Sequence, residues 1–159
     1  MFTLPKTLLF SLLALSTLFA SSQSFAAKPM SDTARNERAV VMFYTKVFVE
    51  RKDVGKAARH FLTEDYIQHN PYVATGRQGF IDGLGSYLPT IPNTRYEIKR
   101  VVTSGDMVIL HVHTYDITSD APGQAGVDMF RVDQNGKIVE HWDVWQDIPT
   151  WMAHDNGMF

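Results

Sequence analysis

The chain has 159 residues, of which 45% are hydrophobic and 20% charged, a composition typical of one globular domain and not of disordered, collagen-like or coiled-coil proteins. Lysine and arginine total 15 against 17 for aspartate and glutamate, so the chain lacks the positive excess that binds nucleic acid or an anionic membrane surface. It contains no cysteine, which excludes a disulfide framework, a cysteine-based zinc site and a cysteine nucleophile.

The N-terminal segment has the three parts of a secretory signal peptide. Lys6 is its only charge, residues 8–20 form an apolar run, and Ser24-Phe25-Ala26 supplies the small residues that precede a cleavage site. The run is shorter than the roughly 20 residues that span a bilayer. We therefore predict a signal peptide over residues 1–26 and one mature domain over residues 27–159. We expect the mature protein to be exported, periplasmic or secreted, and free of the membrane after cleavage.

Three amphipathic helices are predicted in the first half of the mature chain. Apolar residues recur at helical spacing over residues 32–50. Asp53 is a suitable N-cap for a second helix, and a third helix is predicted over residues 80–88, ended by Pro89. The three apolar stripes are Val40, Phe43, Tyr44, Val47 and Phe48; Val54, Ala57, Ala58, Phe61 and Leu62; and Phe80, Ile81, Leu84, Tyr87 and Leu88.

After Pro92 the pattern changes from helical spacing to alternation, which indicates strands. The predicted strands are residues 94–103, 106–117, 125–133 and 137–147. Asn135-Gly136 favours a tight hairpin between the last two strands. Helices followed by a meander of strands predict an α+β fold, in which three N-terminal helices pack on a curved antiparallel sheet and enclose a pocket.

Polar side chains are concentrated on one face of the predicted strands, because residues two apart share a face. We predict that this face lines the pocket and carries His111 and His113; Asp128 and Phe130; Val139, His141, Asp143 and Trp145; and, from a short upstream strand, Tyr66 and His69. Buried ionisable groups are costly unless paired, so such a cluster usually lines a functional cavity. Trp142 and Val144 lie on the opposite face, where we expect a homodimer interface.

The stretch DQNGKIVEHWD, residues 133–143, resembles a segment of the SnoaL-like polyketide cyclases of the nuclear-transport-factor-2-like superfamily. The resemblance covers about residues 33–148 and includes a Tyr-Ile-x-His-Asn-Pro segment that begins at Tyr66. It implies a conical α+β fold with a deep pocket, commonly dimeric, and acid–base catalysis of an aldol-type ring closure. It also implies that the family's catalytic aspartate falls on Asp143. The family's partner histidine falls on Asp128, which is a departure from the family pattern.

These observations leave several functions open. In the first, Asp143 moves a proton next to the carbonyl of a small apolar substrate, and His111, His113 or Tyr66 donates a hydrogen bond to the enolate oxygen without any cofactor. In the second, the same pocket binds a small molecule without turnover. A separate, purely structural interpretation of Asp143 is an ion pair with His141 or Arg131. In a third, the sheet face serves mainly for association.

A metal site is the remaining alternative. His111-x-His113 matches the opening of a cupin metal motif, and the two histidines could join Asp128 or His69 around zinc. The glutamate that the cupin motif requires is missing, because Ile117 and Thr118 occupy those positions. We therefore predict a site without metal.

Overall fold

The computed structural model describes residues 32–159, and the predicted signal peptide lies outside the described residues. The elements are α1 (Asp32–Tyr44), which continues as a π-helix (Thr45–Glu50), α2 (Val54–Phe61), β1 (Leu62–Gln68), α3 (Arg77–Tyr87), a 3₁₀ turn (Leu88–Thr90), β2 (Thr94–Ser104), β3 (Met107–Asp116), β4 (Gln124–Val132) and β5 (Ile138–Asp147). None of the helices in this part of the chain is long and apolar enough to cross a membrane.

The start of α2 and the end of the π-helix lie where the sequence predicts them. Asp53 caps α2 by accepting a hydrogen bond of 2.7 Å from the backbone N–H of Lys56. The π-helix ends at Arg51, whose backbone is left-handed with φ 54°. The Arg51 guanidinium donates three hydrogen bonds to backbone carbonyls between the end of α3 and the start of β2. It thereby ties the end of the first helical segment to the loop that enters the sheet.

The strands form one sheet in the order β1-β5-β4-β3-β2, with the helices on one face. The predicted α+β fold and the four antiparallel strands β2–β5 are confirmed. The sheet is mixed, however, because β1 pairs in parallel with β5. The prediction of a wholly antiparallel sheet was wrong at this edge. No hairpin joins these two strands, so no turn in the sequence indicates their relative direction.

A bulge in β5 corrects one predicted side-chain direction. Arg131 pairs with Glu140 and Val132 pairs with Ile138, which leaves Val139 without a partner on β4. Ile138 is therefore fully buried in the core. Val139 does not lie on the same face as His141, Asp143 and Trp145, so its predicted place in the pocket was wrong.

The hydrophobic core lies between the helices and the inner face of the sheet, defined here as the face that packs against the helices. Phe43 of α1 contacts three aromatic rings at its centre, with centroids 5.5–6.1 Å away on Phe61, Phe80 and Phe130. The sheet contributes the fully buried Val108, Leu110 and Val112 of β3, Phe130 of β4 and Ile138 of β5. Beside this core the helices and the sheet leave a cavity, whose walls carry the polar groups described next.

Candidate functional site

The cavity has a volume of about 470 Å³ and lies between α3, the π-helix and the inner face of the sheet. Its wall consists of Phe48, Gln68, Asn70, Tyr72, Val73, Phe80, Gly83, Leu84, Tyr87, Tyr96, Thr114, Gln124, Asp128, His141, Asp143 and Trp145. Four of these residues were predicted from the sequence to lie in the pocket, namely Asp128, His141, Asp143 and Trp145. Among residues 32–159 no lysine or arginine is part of this wall, so the polar end of the cavity has carboxylates without a permanent positive charge from this part of the chain.

Asp128 and His141 form a buried pair across β4 and β5. His141 Nε2 lies 3.0 Å from Asp128 Oδ1. Burial raises the pKa of Asp128 above its usual range, and the contact with His141 opposes that shift. The second oxygen, Oδ2, has no hydrogen-bond partner among the described residues, and the same is true of the nearby hydroxyl of Tyr44. Burial, together with the carboxylate of Asp128, raises the Tyr44 pKa well above its usual value.

Asp143 is held by an amide and not by a charge. Asn70 Nδ2 donates to both carboxylate oxygens of Asp143, at 2.9 and 2.8 Å. The amide of Asn70 is oriented in turn by the backbone N–H of Tyr72, which donates to Asn70 Oδ1 at 2.9 Å. The alternative ion pairs of Asp143 are not formed, since His141 bonds to Asp128 and Arg131 bonds to two other carboxylates.

The predicted pocket positions of His111 and His113 are wrong. Both side chains lie on the outer face of the sheet, where their rings pack on Phe159 near the end of the chain. His111 contacts Arg100, and His113 donates to the backbone carbonyl of Pro122 at 2.8 Å. Both alternations of β3 contain apolar residues, so periodicity did not fix which face is buried. The side chains between the two histidines and on either side of them face inward instead.

Three other residues that were predicted to line the pocket lie outside its wall in the structure. Tyr66 and Phe130 are buried in the core and do not form part of the cavity wall, although Phe130 packs against the ring of His141 at 4.7 Å. His69 lies on the outer side, stacked on Trp142 at 4.8 Å and bonded to Glu140 at 2.9 Å. Its alternation relative to Tyr66 already places the two side chains on opposite faces, because neighbours two apart point the same way.

Two polar residues of the site were missed from the sequence. Gln68 and Asn70 follow Tyr66 at intervals of two, so the signal that would have found them is the same alternation. Gln68 Oε1 lies 2.9 Å from His141 Nδ1. The aromatic wall was missed as well, because Phe48, Tyr87 and Tyr96 are brought together from different elements.

The donor atoms of Asp128, His141 and Asp143 lie within 4.8 Å of one another, close enough to be tested as a cation site. Both ring nitrogens of His141 are already hydrogen-bonded, and both oxygens of Asp143 accept from Asn70. A metal ion needs a free nitrogen lone pair from histidine, so it would have to displace the contact with Asp128. The donor set therefore fits proton sharing better than metal binding. The alternative of zinc at His111 and His113 with Asp128 fails, because the histidines and Asp128 lie on opposite faces.

A cone of helices on a curved sheet, with acid–base groups on its inner wall, defines a class of small α+β pocket proteins. Residues 40–141 match the SnoaL-like domain family, and this match covers more than half of the chain. The chain belongs to the SnoaL-like family. No functionally curated protein matches it significantly.

Solved structures with the same fold include several of this family. The chain is similar to a candidate isomerase of the SnoaL-like family from Agrobacterium tumefaciens, with 13% identity and a TM-score of 0.61 over 70% of this chain and 97% of the other. It is similar to a candidate SnoaL-like polyketide cyclase from Jannaschia, with 14% identity and a TM-score of 0.61 over 74% of this chain and 90% of the other. It is also similar to a candidate ketosteroid isomerase from Kribbella flavida, with 18% identity and a TM-score of 0.61 over 79% of this chain and 88% of the other. At these identities the likeness shows the shared fold alone.

Proposed function

We propose that this protein catalyses an acid–base conversion of a small, uncharged, largely apolar carbonyl compound, by isomerisation, elimination or aldol-type cyclisation and without a cofactor. One observation carries the proposal. Asp143 and the Asp128–His141 pair have donor and acceptor atoms within 4.8 Å of one another on the wall of a cavity that is otherwise mainly aromatic and aliphatic. A proton acceptor and a proton donor at that separation can act on neighbouring atoms of one substrate.

Asp143 is the proposed base. Within the described residues its carboxylate is hydrogen-bonded by Asn70 alone, so an oxygen lone pair can accept a proton from the carbon next to the substrate carbonyl. The Asp128–His141 pair is the proposed donor to the oxygen that becomes an enolate, where stabilisation has the largest effect on such reactions. This pair takes the role that the sequence suggested for His111, His113 or Tyr66.

The charge of the cavity supports an uncharged substrate. The part of the wall that the structure describes contains two carboxyl groups and no lysine or arginine, so an anionic substrate would be repelled. Phe48, Tyr96 and Trp145 supply aromatic surface on which a planar or cyclic compound can pack.

Exchange of α-protons for deuterium, followed by NMR on a panel of uncharged cyclic ketones and their carboxylate-bearing analogues, tests this function. We expect exchange with at least one uncharged ketone and none with the anionic analogues. Asp143→Asn should lower the exchange rate by at least about 100-fold, the lower end of what a general base contributes. Asp147→Asn is the matched control, because Asp147 is on the same strand but outside the cavity wall, and it should exchange normally.

The alternative function is binding of a small molecule without turnover, which the apolar wall of the cavity favours. In that case ketones would bind to the wild-type protein without exchange, and Asp143→Asn would retain the affinity. This result would contradict the catalytic proposal while leaving the cavity as a binding site.

We also propose a homodimer through the outer face of the sheet. Val102, Ile109, Met129 and Trp142 are cross-strand neighbours that form an apolar row over β2–β5. Val102 is 58% exposed, and Val144 beside this row is 62% exposed. Association would remove this surface from water. Light scattering at micromolar concentration should give a dimer for the wild type and a monomer for Val144→Glu; a monomeric wild type would contradict the proposal.

Export is proposed on the sequence pattern of residues 1–26. Expression with the leader in a Gram-negative host should deliver a periplasmic protein whose N-terminus, read by mass spectrometry, begins at Ala27. Retention of residues 1–26 on the mature protein would contradict it.

A further inference from the structure

The side-chain amide of Gln68 has only one orientation compatible with its contacts. Its Oε1 lies 2.9 Å from the backbone nitrogen of Asn70, which donates to it. A backbone N–H can only donate, so the atom that faces it must be the amide oxygen. The amide nitrogen, Nε2, then donates to the hydroxyl of Tyr66 at 3.1 Å. The orientation of the Gln68 amide is therefore determined by a backbone N–H group, and not by other side chains whose own orientation could differ.

The orientation of Gln68 determines which nitrogen of His141 is protonated. His141 Nδ1 lies 2.9 Å from the same Oε1. Because an amide oxygen only accepts, Nδ1 must carry a hydrogen in the neutral and in the charged form of the ring. The other nitrogen, Nε2, faces Asp128 Oδ1 at 3.0 Å.

A single proton must then lie between His141 and Asp128. A bare Nε2 opposite an ionised carboxylate would place two acceptors 3.0 Å apart, with no hydrogen to bind them. The proton is on Asp128 when the pair is neutral and on Nε2 when the pair is ionic. Both arrangements place one shared proton beside the cavity that Asp128 and His141 line.

We propose that Gln68 is a positioning residue, which holds His141 with Nδ1 protonated so that His141 Nε2 and Asp128 Oδ1 share one proton beside the cavity. The role of this shared proton in catalysis rests on the proposed function. During turnover the shared proton would also form a hydrogen bond to the substrate oxygen without leaving the pair, while Asp143 receives the proton from carbon. Gln68 itself does not form or break a bond. Removal of its acceptor oxygen would release the ring to adopt the other tautomer.

NMR of the resting protein labelled with ¹⁵N-histidine tests the proposal without any substrate. The chain has six histidines, whose ring signals can be assigned sequentially, and two-bond ¹⁵N–¹H correlations distinguish a protonated ring nitrogen from a bare one. We expect His141 to have a protonated Nδ1 near neutral pH, with a strongly deshielded proton between Nε2 and Asp128. A bare Nδ1 with the hydrogen on Nε2 would overturn the proposal.

Two substitutions separate positioning from packing. Gln68→Glu keeps an acceptor oxygen and should keep Nδ1 protonated, whereas Gln68→Leu removes the acceptor and should give mixed tautomers. Gln124→Leu is the matched control, because Gln124 also lines the cavity but bonds to Asp147, and it should leave His141 unchanged. An unchanged His141 in Gln68→Leu, or a bare Nδ1 in Gln68→Glu, would overturn the role of Gln68. If Gln68→Leu does not fold, the wild type and Gln68→Glu still decide the question. Since these spectra need no turnover, they remain valid if no ketone is a substrate.

Discussion

The two faces of the sheet each carry a histidine bonded to a carboxylate, at nearly equal distance but in opposite surroundings. On the inner face His141 and Asp128 are 8% and 4% exposed, with a separation of 3.0 Å. On the outer face His69 and Glu140 are 42% and 19% exposed, with a separation of 2.9 Å. Solvent screens the outer contact, whereas the inner groups have lost their water and depend on each other. Burial, and not contact distance, distinguishes a candidate reactive pair from a surface ion pair.

Compensating charge differs between the faces as well. Arg131 bonds to Glu140 on the outer face, and hydrogen bonds from His69 and Arg131 lower the Glu140 pKa. On the inner face none of the described arginines or lysines lines the cavity, and burial raises the Asp128 pKa. The pKa values of the two acidic side chains are therefore shifted in opposite directions, lowered for the outer Glu140 and raised for the inner Asp128.

Removal of each histidine should give the largest contrast. His141→Ala leaves Asp128 buried without its partner, and we expect a loss of about 3–5 kcal/mol in the free energy of unfolding. His69→Ala removes a partly exposed side chain and should change it by no more than about 0.5 kcal/mol. Urea unfolding at neutral pH measures both. Equal losses would mean that the two pairs do not differ as their burial implies.

Overpacking of the inner face should have the next largest effect. A methyl group on Gly126 would overlap the six-membered ring of Trp145, with three ring carbons within 2.7 Å of the added carbon. Gly126→Ala should therefore push the indole toward the cavity and cost about 1–3 kcal/mol. Val127→Ala, one residue later and on the outer face, is the control and should cost less. Unfolding curves together with tryptophan fluorescence check the result. An unchanged fluorescence spectrum in Gly126→Ala would contradict the displacement of Trp145.

The two carboxyl groups should differ in the sign of their pH dependence. Because the folded-state pKa of Asp128 is raised, its contribution to stability declines as the pH increases from the ordinary aspartate pKa of about 4 through the folded value. Asp128→Asn resembles the protonated acid, since its amide can donate to His141 Nε2. We expect this variant to be at least as stable as the wild type at neutral pH, with a flatter profile.

Glu140→Gln should show the reverse. The folded-state pKa of Glu140 is lowered, so its contribution is present above the ordinary glutamate pKa and is lost as the pH decreases through the folded value. The variant should be less stable than the wild type at neutral pH and equal to it in acid. Thermal unfolding at a series of pH values checks both variants. Parallel profiles for the two would contradict the assignment of opposite protonation preferences.

The sequence predicted elements better than it predicted faces. Alternation and turn residues located β2–β5 to within one or two residues, and the position of Asp143 on the cavity wall followed from its strand. The outward direction of His111 was missed, because both alternations of β3 contain apolar residues and the one with the histidines was assigned to the pocket. The parallel pairing of β1 and the bulge at Val139 could not be predicted either, since both depend on contacts between strands distant in sequence. Gln68 and Asn70 were within reach of the alternation from Tyr66.

The smallest effect is expected from divalent cations, and it tests whether the inner cluster is a proton site or a metal site. A cation that binds only the folded state raises the melting temperature in proportion to its binding free energy. His141 has no free nitrogen, because Nδ1 bonds to Gln68 and Nε2 bonds to Asp128. Addition of zinc, or of a chelator to the purified protein, should therefore leave the melting temperature unchanged. His141→Ala and His69→Ala distinguish the faces if a shift is observed. A zinc-dependent rise that persists in His69→Ala but disappears in His141→Ala would show that zinc displaces the shared proton, and would turn the inner pair into metal ligands.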